Sequence, residues 1–142
     1  KRVFWVTPGD FVLNIVFAWE GAVAVLSEGE AGMIGSHRFP TFRPDESRVN
    51  AYFLLAYFKT PDGLDLLRSV SPGGAGRNRT LSQSAFLQQS MPLPELHEQR
   101  RLVARIEELA RQLEHALTLR HQAVEEVESL LRSILIHDKN QQ

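Results

Sequence analysis

A chain of 142 residues can build one modest hydrophobic core and little beyond it. Its 16 Lys and Arg stand against 17 Asp and Glu, a net charge of −1, so contact with nucleic acid must come from the placement of basic residues rather than their total. With no cysteine there is no disulfide framework and no thiolate metal site, which fits a reducing compartment. Neither half is basic: residues 1–94 hold nine Lys/Arg and eight Asp/Glu, and residues 95–142 hold seven and nine.

Val3 to Val6 reads as a short strand, so the chain is expected to begin inside a domain. Pro8-Gly9-Asp10 is a turn into Phe11 to Phe17. Trp19-Glu20-Gly21 breaks the apolar run before Ala22 to Leu26 resumes it, and the two runs together predict a β-hairpin. Asn14, Glu20 and Gly21 interrupt this stretch too often for a membrane span, and no secretory signal is legible, so the expected location is cytoplasmic. The aromatics Phe4, Trp5, Phe11, Phe17 and Trp19 are assigned to the core.

Gly29 and Gly32 mark the next turn, and Met33 to Phe42 reads as a further extended segment. After the Pro44-Asp45-Glu46 loop, Asn50 to Lys59 has helical spacing, with Phe53, Leu54, Tyr57 and Phe58 on its apolar face. Pro61 to Val70 is a second short helix, with Leu64, Leu67 and Val70 turned inward. A Gly-rich loop follows over Ser71 to Thr80, then a helix or turn over Leu81 to Gln88 and a last strand over Gln89 to Leu93. The expected fold class is α+β: a small mixed α/β body over 1–94, one long helix over 95–138 and a tail over 139–142.

The organising stretch is Met91 to Gln99, MPLPELHEQ. Pro92 and Pro94 lack amide protons and hold Met91 to Pro94 extended, whereas Glu95 and Glu98 suit the positive end of a helix dipole. Beyond them Leu102, Ile106, Leu109, Leu113, Ala116, Ala123, Val127, Leu130 and Ile134 alternate in steps of four and three, the spacing of a coiled-coil seam. A helix from Leu96 to Ile136 would be roughly 60 Å long, more than a body of this size can cover, so the seam needs a partner helix. Its one gap is Arg120, either a solvated break or a register device that meets a partner carboxylate such as Glu114 or Glu125.

The Gly-rich loop is the best candidate for chemistry. Gly73, Gly74 and Gly76 allow close backbone approach to another surface. Arg77 and Arg79 can give bidentate bonds to phosphate or guanine, Asn78 can read adenine and Thr80 can reach phosphate. The alternative is a surface loop with solvated arginines. The loop lacks the Gly-Lys-Ser/Thr ending of a P-loop, and the Asn78-Arg79-Thr80 sequon is a chance match without secretory features. Ser36, His37 and Arg38 read first as a hydrogen-bonded strand edge, since neighbouring Ser and His make no triad. His97, His115, His121 and His137 are scattered and suggest no metal site, and no cofactor loop or pair of acids argues for catalysis.

The run PLPELHEQRRLVARIEEL from Pro92 resembles the strand-to-helix junction in specificity subunits of type I restriction–modification enzymes. TPGDFVLNIVFAWEGAVAV, GSHRFPTFRP and SPGGAGRNRTLSQSAF are similar, in that order, to the family's target recognition domain. The resemblance implies a non-catalytic, cofactor-free subunit that reads one half of a split double-stranded DNA site. Its helices act as ruler and as dock for DNA methyltransferase and restriction subunits. It also implies that Gly74, Arg77, Asn78, Arg79 and Thr80, with Ser36, His37 and Arg38, face DNA. This chain would be half of such a subunit, with the start of its recognition domain lying before Lys1; its helix could then pair with a second copy. The alternative is an assembly module whose body does not bind DNA by itself.

Overall fold

The computed structural model describes residues 3–74 and 79–139, with side chains through 134. The fold class is α+β. By contact the chain forms two compact units, Lys1–Val103 and Ala104–Gln142.

In the first unit, β1 (Val3–Trp5) pairs antiparallel with β4 (Ile34–Ser36) as a two-stranded ribbon. A second sheet has the order β3-β2-β5, all antiparallel, with β2 (Phe11–Leu13) between β3 (Val23–Val25) and β5 (Thr41–Phe42). The expected hairpin is present in the register Phe11↔Val25 and Leu13↔Val23. Phe11 and Leu13 alternate with the less buried Val12 and so enter the core, where they meet Ala18, Val23, Phe58, Leu67, Val70 and Leu81. The helices α1 (Ala51–Tyr57) and α2 (Pro61–Ser69) start at the capping side chains of Asn50 and Thr60, with Pro61 at the favoured first position. α2 comes so near α1 that a Cβ on Gly63 would lie 2.2 Å from the Tyr57 carbonyl oxygen, so only glycine fits there. α3 (Gln83–Leu87) is capped by Ser82, and Phe86 stacks against Phe42 and Phe58.

The structure corrects four expectations. The strand from Phe11 ends at Leu13, because the Asn14 side chain accepts from the Val16 amide at 2.9 Å and bends the chain into a turn. Met33 to Phe42 is two strands rather than one. The Phe39 amide donates to the Ser36 carbonyl at 2.9 Å and the Ser36 hydroxyl accepts from the Arg38 amide, closing a turn over 36–39. Gln89 to Leu93 is not a strand; Pro92 cannot donate to a ladder, and the segment is a connector without regular structure. Finally, not all five aromatics are core. Phe11 is 1% exposed, but Trp5 is 73% exposed and Phe17 43%. Pleating explains Trp5: Phe4 packs over Gly35, so its neighbour points to the opposite, exposed face of the ribbon.

α4 runs from Leu96 to Lys139. Its first turns belong to the body unit. Gln99 there is fully buried and its amide is spent on three bonds: Oε1 accepts from the Asn50 amide at 2.9 Å, and Nε2 donates to the Arg48 carbonyl at 2.9 Å and the Pro94 carbonyl at 2.7 Å. One side chain therefore ties the cap of α1, the loop before it and the proline connector to the start of α4. In the second unit every described seam position is exposed, with Leu109 at 48% and Ile134 at 63%. Its charged side chains pair along the helix itself: Glu108–Arg111 at 2.6 Å and Glu128–Arg132 at 3.7 Å, with His121 Nε2 lying 3.5 Å from Glu125.

Candidate nucleic-acid interface

The Gly-rich loop leaves the body through a narrow neck. The Ser82 amide donates to the Val70 carbonyl at 2.9 Å and the Thr80 amide to the Pro72 carbonyl at 3.4 Å, with Val70 and Leu81 buried beneath. The Ser71 hydroxyl, itself buried, donates to the Leu67 carbonyl at 2.7 Å and fixes the outgoing limb to α2. Gly74 is exposed and surrounded by open space. Arg77 and Asn78 lie outside the described residues. Thr80 is exposed on the returning limb.

Arg79 is half-buried, and its guanidinium carbon lies 5.4 Å from the centre of the Trp19 ring, within cation–π range. Trp19 is held in turn: its Nε1–H donates to the Val16 carbonyl at 3.0 Å. It sits in the 3-10 turn Ala18–Glu20, anchored by the buried Ala18 and closed by Gly21, whose φ of 85° suits glycine. The Gly21 carbonyl accepts from Lys59 Nζ at 2.6 Å, so a second cation lies beside the same turn.

The candidates near residue 37 meet this loop at one point. The Ile15 amide donates to the Arg38 carbonyl at 3.0 Å, and the Ile15 carbonyl accepts from the Leu81 amide at 2.8 Å. The turn carrying His37 and Arg38 and the limb carrying Arg79 and Thr80 are therefore both bonded to a single residue, though they are about 40 positions apart in the chain. His37 and Arg38 are exposed; Ser36 is half-buried at the end of β4, its hydroxyl occupied by the Arg38 amide. Their order along the chain gave no hint of this convergence.

Further along the rim, the buried Asp10 is paired with Arg43, and the carboxylate beside it raises the Arg43 guanidinium above its ordinary value. That pair braces the Pro-Gly-Asp turn against the strand end at Phe42 and leaves Asp10 no free role. Sequence reasoning missed Trp19 and Gln99. Trp19 carried a usable signal, an N–H that must find an acceptor when partly buried. Gln99 carried none, because a glutamine in the first turn of a helix is ordinary.

No family model matches the chain, and no curated protein matches it. Among solved structures it is similar to the HsdS subunit from Thermoanaerobacter tengcongensis, with a TM-score of 0.70 at 22% sequence identity over 89% of this chain. The match covers 32% of that HsdS chain. The α+β body and long C-terminal helix are therefore a fold shared with part of an HsdS subunit.

Proposed function

We propose that this chain is a DNA-recognition module of the specificity-subunit kind, a partial target recognition domain over 1–94 joined to a spacer helix over 95–138, with a tail at 139–142. The observation that carries this reading is the fold likeness to an HsdS subunit over 89% of this chain. In this reading the chain is non-catalytic and uses no cofactor. It directs DNA methyltransferase and restriction subunits in the cytoplasm, and double-stranded DNA is its ligand. Arg38 and Arg79, on the two segments whose backbones bond to Ile15, supply phosphate or base-edge contacts together with Arg77, and Gly74, Asn78, Thr80, Ser36 and His37 complete the proposed DNA-contact set. Leu102, Ile106, Leu109, Leu113, Ala116, Ala123, Val127, Leu130 and Ile134 pack against another helix.

A second reading is favoured by the exposed seam: an assembly module that pairs through its helix, with a second copy or another subunit, and whose body does not bind DNA alone. The discriminating experiment is selection of duplexes from a random-sequence pool by the purified chain across a salt series, with the Arg77→Ala/Arg79→Ala variant alongside. Enrichment of a short motif that the variant loses supports the recognition module. Motif-free or absent binding leaves the assembly reading.

A further inference from the structure

We infer that Trp19 is a positioning residue for DNA contact: its indole face is a shelf that holds the Arg79 guanidinium in place at the neck of the Gly-rich loop, where it meets a phosphate of the duplex. This rests on the reading that the loop faces DNA. The shelf itself stands on geometry.

An arginine on a Gly-rich loop is free to sample many rotamers, and ordering it at the moment of binding opposes affinity. The observed arrangement removes that freedom beforehand. The ring is fixed by its hydrogen bond to the Val16 carbonyl and by the closed 3-10 turn; the loop limb is fixed two residues later, where the Leu81 amide meets Ile15. The guanidinium lies over the first of these fixed points, 5.4 Å from the ring centre. A π face satisfies a guanidinium without consuming its N–H donors. Among the described residues no carboxylate forms an ion pair with Arg79, in contrast to Arg43, Arg101 and Arg111. Its charge and its donor edge therefore remain available to an anion. A phosphate oxygen is the partner of matching chemistry, and Lys59 beside the same turn offsets the exposed Glu20 carboxylate that the turn carries.

The test measures affinity of the full chain for a random-sequence duplex pool across a salt series, in Trp19→Leu, Trp19→Phe, Arg79→Ala and the Trp19→Leu/Arg79→Ala double variant. Arg79→Ala should lower the log–log salt slope by about one. Trp19→Leu should weaken binding about three- to five-fold and add nothing in the Arg79→Ala background, since it acts only through that side chain. Trp19→Phe keeps a π face while losing the bond to Val16, so it should recover most of the affinity. A separate reading on the free protein, the ring-current shift of the Arg79 Nε–H proton, should vanish in Trp19→Leu and persist in Trp19→Phe. Melting curves of each variant identify any that fail to fold, and the proton shift in Trp19→Phe then still decides the geometry.

Additive losses in the double variant, or unchanged binding in a folded Trp19→Leu, would overturn the positioning role while leaving the loop as a DNA contact. Full affinity and an unaltered salt slope in Arg79→Ala would overturn the DNA reading of the loop, and the role of Trp19 with it. A ring-current shift absent from the unaltered protein would overturn the shelf alone.

Discussion

The body and the rod solve opposite problems. In the Lys1–Val103 unit, short elements of two to nine residues gain their stability from one another: Phe11, Leu13, Leu67 and Val70 are at most 3% exposed, and Gln99 has every polar atom bonded. In the Ala104–Gln142 unit the secondary structure is almost wholly local, held by backbone bonds and i,i+3 or i,i+4 ion pairs, and its apolar seam remains in water. A short strand such as β2 has no existence outside its tertiary setting, whereas a long helix forms from its own sequence and then exposes a surface that calls for another helix. Burial in this protein is accordingly a property of the body, and an exposed apolar seam a property of the rod.

Variants can break or sharpen that contrast. The largest effect is expected in the core: Leu67→Ala removes a fully buried side chain and should cost about 3 kcal/mol of body stability, read from denaturant melts of near-UV signal, with the α4 helical signal of far-UV dichroism less affected. Gln99→Ala comes next. It strands the Asn50 amide and two carbonyls, and a loss of about 2 kcal/mol is expected, together with faster hydrogen exchange at Asn50 and around the start of α4. Should Gln99→Ala melt like the unaltered protein, the join between body and helix would lie elsewhere. Leu109→Glu should leave the body's melting within about 0.5 kcal/mol, because the side chain is 48% exposed, yet it should weaken helix-mediated association at least tenfold in sedimentation experiments. Arg120→Leu, filling the gap in the seam, should strengthen association or relax its choice of partner if the arginine sets register; identical oligomeric state and exchange would make it a solvated break.

The smallest effect concerns protons. The hydrogen bond from Arg101 holds the Glu98 carboxyl below its ordinary value of 4.5, and the Arg111 bond does the same for Glu108. Each group binds fewer protons folded than unfolded, so its contribution is complete above 4.5 and is lost as the pH falls through the lower folded value. Both pairs are solvent-exposed, so the acid-side slope of helix melting should flatten only slightly in Glu98→Gln.

Much was legible in the residues themselves. The seam spacing predicted α4 to within a few positions, because a 3.5-residue repeat needs no tertiary information to be read. The helical spacing of Phe53, Leu54, Tyr57 and Phe58 marked α1, the run from Pro61 with Leu64 and Leu67 marked α2, and the two apolar runs broken at Trp19-Glu20-Gly21 gave the β2–β3 hairpin. Residue composition also drew attention to the Gly-rich loop, whereas Ser36–Arg38 read from its residues as a strand edge. What the chain order did not contain was their meeting at Ile15, the Trp19 face under Arg79, the outward turn of Trp5, or the three bonds of Gln99. Each depends on which segments lie side by side after folding, and a hydrogen bond between residues 15 and 81 leaves no period or spacing in the sequence. Local preference determined the elements; only the packed body decided which of their side chains face one another and which face water.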